Sequence, residues 1–224
     1  MLQRLLSLMM ILISLGQGTL RDYADQMNLG GTLFLVNRTY SLTADYAPED
    51  LVMPAVRRVS DAVMMRREAA QALERLFDAA QREKGYTLVA VSGYRSYSTQ
   101  NAIFDRKVRS VGEKQAMLLV APPGCSEHQL GLAMDIGASR NHSLTPSFGK
   151  TEEGIWVAEN CWRFGFIIRY REEWTEVTGY SYEPWHIRYV GEEHAGRIYE
   201  CDIPLEYYVM QLKEAQFALA MKGV

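Results

Sequence analysis

The feature that most constrains this chain is an amphipathic run that stops at Gly85 and gives way at once to a short apolar stretch. Met65, Ala69, Ala72, Leu73, Leu76 and Ala80 recur at spacings of three and four, which aligns them along one face of a helix. The other face carries Arg67, Gln71, Glu74, Arg75 and Asp78. The pattern predicts a helix from about Met53 to Lys84, ended by Gly85, because glycine readily takes the left-handed backbone that closes helices. TLVAVSGY then reads as a buried strand running into a loop at Gly93 and Tyr94.

A helix stripe must be buried against another element, and a strand follows directly, so the chain is expected to layer helices on a sheet. TLFLVNRTYSL, Thr32 to Leu42, predicts a further strand, and Asp50 in APEDLV sits where a helix start is expected. Thr99 to Val111 predicts a helix, and Pro122, Pro123 and Gly124 break any continuation. Leu130 to Gly137 has the composition of a core strand, and Ser139 to Gly154 that of a polar loop. A helix is expected over Glu153–Phe164 and strands over Phe166–Tyr170 and His186–Val190. Final helices are expected over Glu192–Tyr199 and Pro204–Met221. The connections vary and do not repeat as βα units. That predicts an α+β domain with a small, mainly antiparallel central sheet flanked by helices.

The first twenty residues stand apart. They hold one early cation, Arg4, and an apolar run from Leu5 to Leu15 broken only by Ser7 and Ser14. The run is too short to span a bilayer as a helix and fits the hydrophobic part of an export signal. The plainer alternative is an N-terminal helix packed on the domain. We therefore expect a signal-like or membrane-associated leader over 1–20, a single domain over 21–224, and a place at the cell envelope or outside the cell. The formal charge of -3 offers no electrostatic footprint for nucleic acid. Export would allow Cys161 to pair with Cys201 and leave Cys125 free. A Cys–His enzyme built on Cys125 is a weak alternative, since no thiolate-stabilising neighbours are evident in sequence.

The chain has four histidines, and two of them have an acidic residue at interpretable spacing. His128 precedes Asp135 by seven residues, too far to share an ion in extended chain, but Gly131 between them permits a sharp bend. Ala133 and Asp135 fall on one face of the strand, which leaves room beside the carboxylate. In the second segment, Pro184 holds Glu183 extended, so Glu183 and His186 can line one cavity without a helix. Imidazole and carboxylate suit zinc, and catalytic zinc sites commonly use three protein groups. His128, Asp135 and His186 fill that set, with Glu183 left over for proton transfer. The competing account of each half-motif is structural: a satisfied histidine beside Pro and Trp, and an aspartate capping a loop.

These residues carry a resemblance. SEHQLGLAMDIG matches an S-x-H-x-x-G-x-A-x-D pattern and YEPWHIRYVG an E-x-W-H segment, both similar to those of the VanY-type D-alanyl-D-alanine carboxypeptidases. They are also similar to bacterial L,D-carboxypeptidases and, more distantly, to D-Ala-D-Ala dipeptidases. LVNRTYSL with YAPEDLV, SGYRSYSTQNAIF and FGFIIRY resemble further segments in the expected order, from about Leu33 to the last helix. The resemblance implies an α+β zinc peptidase acting on peptidoglycan stem peptides. One Zn2+ ion would be held by His128, Asp135 and His186, with Glu183 as base. Arg95 would face the substrate carboxylate or the polarised carbonyl, and Ser126 would position the peptide. Tyr94 and Gln100 lie in the substrate-binding segment, and Trp185 would form a wall. Family members often have Pro where this chain has Arg171, so the loop there is expected to differ. His142 and His194 match no ligand position and read as loop and surface residues.

The resemblance implies removal of a C-terminal D-alanine, with D,D-carboxypeptidase action as the first reading. The alternatives are an L,D-carboxypeptidase acting on the tetrapeptide stem and a non-catalytic wall-binding module. The last would place Glu183 out of reach of the metal site.

Overall fold

The computed structural model describes residues 25–140 and 142–221; the expected leader over 1–20 lies outside them. Its centre is a four-stranded antiparallel sheet in the order β3-β4-β6-β5. The strands are β3 (Leu88–Ser92), β4 (Ala133–Ala138), β5 (Phe166–Tyr170) and β6 (Glu183–Tyr189). A two-stranded ribbon of β1 (Leu51–Val52) and β2 (Met65–Arg66) precedes it. The helices are α1 (Arg67–Lys84), α2 (Tyr97–Val111), α3 (Glu113–Leu119), α4 (Glu152–Asn160), α5 (Thr175–Thr178), α6 (Glu192–Cys201) and α7 (Leu205–Met221). This is the expected α+β architecture, a small antiparallel sheet flanked by helices. No described helix is long and apolar enough to cross a membrane.

Alternation along the central strands separates core from site. Met134, Ile136 and Ala138 of β4 and Ile187 and Tyr189 of β6 join one hydrophobic core with Ala69, Leu73, Leu76 and Ala80 of α1. The intervening residues Asp135, His186 and Arg188 point the other way, as the two-residue period of a strand requires. A second core beneath α6 and α7 gathers Leu33, Ile167, Val190, Ile198, Leu205, Tyr208 and Leu212. The sheet is thus covered on both sides, which is why β4 is buried along its whole length.

Several local expectations are corrected. Helix α1 begins at Arg67, not near Met53, because Met65 and Arg66 pair with Val52 and Leu51 before the helix starts. Its end at Gly85 is as expected: φ is 73°, and the Gly85 amide donates to the Gln81 carbonyl at 2.9 Å. Thr32–Leu42 is not a strand. The Arg188 guanidinium takes the carbonyls of Thr32 and Phe34 at 2.8 and 3.0 Å. The Asn37 side chain accepts the amides of Thr39 and Tyr40, which forms a turn.

Strand β4 starts at Ala133, since Glu127–Leu130 forms a 3₁₀ turn. The helix expected over Glu153–Phe164 is α4 followed by a 3₁₀ turn over Cys161–Phe164. Helix α3 has no counterpart among the expected elements. His194 is buried and meets the Tyr208 hydroxyl at 2.8 Å, so it is not a surface residue. All three cysteines are free thiols, and Cys161 is not paired with Cys201.

Candidate functional site

The turn at 126–131 sets the position of His128. Gln129 reaches back to the carbonyls of Thr43 and Tyr46 at 2.9 and 3.1 Å, which pins the turn to the N-terminal loop. Gly131 then adopts φ 68°, a left-handed conformation that costs other residues energy. The chain reverses there and enters β4, so Asp135 comes back toward His128 with Oδ2 3.3 Å from Nε2. The Nδ1 atom of His128 lies 2.7 Å from the Gly93 carbonyl. That contact fixes Nδ1 as the protonated nitrogen and leaves Nε2 as the lone-pair nitrogen. Nε2 is buried and has no hydrogen-bond partner.

His186 reaches the same point from β6. It is the register partner of Asp135, and its Nδ1 is 3.0 Å from Asp135 Oδ1. Ligand atoms from His128, Asp135 and His186 all lie within 4.8 Å of one another. Glu183 and His186 are three apart and would face opposite ways on a regular strand. The β5–β6 ladder slips between Ile168↔Ile187 and Tyr170↔Glu183, so four residues of β6 span two of β5. This bulge, between Glu183 and Ile187, turns Glu183 into the same cavity as His186.

The cavity holds ≈ 290 Å³, at the small end of ligand pockets. The three metal-ligand candidates line it with Arg95, Gln100, Ser126, Glu183 and Trp185. Tyr94 is not among the lining residues; its amide donates to the Met64 carbonyl at 2.6 Å. Lys107, Tyr170 and Tyr180, none of them a candidate site residue by sequence, also face the cavity. Glu127, likewise no candidate by sequence, is a fully buried carboxylate whose Oε2 is 3.4 Å from His186 Nε2. Glu127 directly precedes His128, but the cations that neutralise it come from distant strands.

The electrostatics are unequal across the trio. Burial, aided by Arg95, pushes His128 down to about 4 despite Asp135. Burial also acts to lower His186, but contacts with Asp135 and Glu127 outweigh it and raise the group to about 9. Burial would raise Asp135, yet the two imidazoles hold it well below the usual carboxylate range. Glu183 is pushed up to about 7, chiefly by burial. Arg95 lies 4.0 Å from Asp135 Oδ2, and its Nε is buried without a partner.

Two imidazoles and a carboxylate form a donor set suited to zinc, which needs three such groups and a further position facing substrate. The orphaned Nε2 of His128 fits that assignment, because a buried nitrogen without a partner is costly unless something binds it.

The chain matches the family model described as VanY, D-alanyl-D-alanine carboxypeptidase, over residues 62–192. It is 48% identical over 187 residues to the putative carboxypeptidase YodJ of Bacillus subtilis (strain 168), across 81% of this chain and 68% of that protein. Among solved structures it is similar to the LdcB LD-carboxypeptidase, with TM-score 0.74 and 48% identity over 79% of this chain and 85% of that one. It is also similar to a vancomycin resistance D,D-pentapeptidase VanY mutant in complex with Zn(II), with TM-score 0.66 and 40% identity over 80% and 98%. The matched segment contains every member of the trio and the whole central sheet, and this chain belongs to the VanY family of D-alanyl-D-alanine carboxypeptidases.

Proposed function

We propose that the protein is a zinc-dependent carboxypeptidase that hydrolyses the C-terminal D-alanine from peptidoglycan stem peptides. The observation that carries this reading is the convergence of His128, Asp135 and His186 in one cavity with Glu183 and Arg95. His128, Asp135 and His186 would hold a single zinc ion, which when bound would supply a Lewis acid for the scissile carbonyl and lower the pKa of water.

The remaining steps belong to the chain. Glu183 is a buried carboxylate outside the ligand trio whose pKa is raised to about 7, which suits a group that must both accept and return a proton. It takes the proton of the attacking water and delivers it to the departing amine of D-alanine. Arg95 presents an unpaired Nε and a rigid fork that matches a carboxylate. It holds the free C-terminus and so favours carboxypeptidase over endopeptidase action.

Gln100 donates Nε2 to the Ala121 carbonyl at 2.7 Å, which leaves Oε1 buried and unpartnered; that oxygen accepts an N–H of the substrate. Ser126 helps to position the peptide from the rim of the metal turn, and Trp185 forms a wall. Tyr94 acts from outside the cavity, through the loop that places Arg95. Stem peptides belong to the cell envelope, so this reading goes with an exported or membrane-associated protein. The signal-like segment at 1–20 is the feature of the chain that would direct it there.

A specific observation supports a second reading, L,D-carboxypeptidase action on the tetrapeptide: the 48% identity to the LdcB structure. Zinc-loaded protein should be given a pentapeptide stem ending D-Ala-D-Ala and a tetrapeptide ending in one D-Ala, with mass spectrometry of the products. Loss of one alanine from the pentapeptide alone establishes the D,D reading. Cleavage of the tetrapeptide moves the assignment to the L,D class, and inertness toward both sinks the proposal.

A further inference from the structure

We propose that Glu127 is a positioning residue for the metal centre: its carboxylate accepts the Nε2 proton of His186, so that Nδ1 is the nitrogen presented to Asp135 and the metal. The proposal rests on the zinc reading of the trio and concerns a residue outside it.

Glu127 has no exposed side-chain surface. An ionised carboxylate there is tolerable only when fully paired. Arg169 Nε donates to its Oε1 at 2.8 Å, and Arg188 Nη1 lies 3.0 Å from the same oxygen. The second oxygen, Oε2, is left for His186 Nε2 at 3.4 Å. Arg169 is itself clamped at the start of α7, where Nη1 and Nη2 donate to the two carboxylate oxygens of Glu206 at 2.9 and 2.6 Å. Each member of the chain Glu206–Arg169–Glu127–His186 therefore fixes the next.

Stability alone does not explain this arrangement. A buried ion network loses much of its attraction to desolvation, and apolar packing of the same volume commonly serves as well. Orientation is what the network adds. A metal-bound imidazole offers one nitrogen to the ion, and the hydrogen bond made by the other decides which. Here the far nitrogen meets a carboxylate held in place by two arginines. The ring plane is restrained as well, by Tyr170 with centroids 4.8 Å apart and by the edge of His128 at 4.9 Å.

Two measurements test the assignment. In zinc-loaded wild-type protein, nitrogen-15 NMR of the imidazoles should place the remaining proton of His186 on Nε2; a proton on Nδ1 overturns the proposal. Glu127→Gln keeps the size and an acceptor oxygen but removes the charge. It should bind zinc about 10- to 100-fold more weakly in chelator competition, with its unfolding midpoint recorded in parallel. A folded Glu127→Gln protein whose zinc affinity is within twofold of wild type also overturns it. Should that variant fail to fold, the nitrogen assignments in the wild type decide alone. Failure of wild-type protein to bind zinc at all would instead strike the metal reading on which the proposal stands.

Discussion

Asp135 and His186 are register partners on the two central strands, and their side chains meet with Oδ1 3.0 Å from Nδ1. The pairing has a consequence for metal uptake. Burial lowers the His186 pKa, but Asp135 and Glu127 raise it further, to about 9, so the metal-free ring is protonated at pH 7.5. His128, at about 4, is already neutral there, and Asp135 is already ionised. A ligand imidazole must be neutral, so zinc binding near pH 7.5 should release about one proton, and fewer as pH rises through 9. Zinc affinity should accordingly climb with pH up to that point. Calorimetry in buffers of different ionisation enthalpy measures the number released, and zero protons at pH 7.5 would refute the protonated state of His186.

Glu183→Gln separates chemistry from metal binding. Glu183 lines the cavity but is not one of the three converging ligand candidates. The amide should leave zinc stoichiometry unchanged and lower turnover about 10²-fold or more, the scale of losing a general base. Near-normal turnover in a metal-loaded variant would remove Glu183 from the role of base.

Arg95→Ala should discriminate between substrates more than it alters the metal. With its unpaired Nε on a free C-terminus, loss of the guanidinium should harm peptides with a terminal carboxylate and spare amidated ones. Zinc content should stay the same. Equal losses on both peptides would mean that Arg95 acts on the reacting carbonyl.

What the sequence made legible was local. His128, Gly131 and Asp135 lie within eight residues, and the bend at Gly131 is a property of glycine itself. The cavity-facing placement of Glu183 and His186 could be anticipated from Pro184, though the bulge that achieves it depends on pairing with β5. Helix α1 was visible as a periodic stripe, but its start was not, because Met65 carries the helical spacing while its backbone pairs with Val52. Glu127 was overlooked for the same reason on a larger scale. Its partners Arg169 and His186 are 42 and 59 residues away, and no spacing rule links such positions. Thr32–Leu42 misled because its apolar residues resemble a strand, while two of its carbonyls are satisfied by a single arginine side chain.

Gly131 offers the last prediction, one that ties backbone geometry to metal affinity. Its φ of 68° places it in the left-handed region, and an added Cβ would lie 2.9 Å from Leu51 Cδ2 and 3.0 Å from Arg66 Cγ. Its carbonyl also accepts the Arg66 amide at 2.8 Å, so the turn cannot shift without disturbing β2. Gly131→Ala should cost roughly 1–2 kcal/mol for the left-handed conformation, with somewhat more if Leu51 and Arg66 do not give way. The unfolding midpoint in urea should fall with an unchanged denaturant slope. Zinc affinity should fall with it, because the turn sets the separation of His128 from Asp135. A variant that loses stability yet binds zinc as wild type would show that the contacts of His128 with Gly93 and of Gln129 with Thr43 and Tyr46 hold the ligands in place without the Gly131 bend.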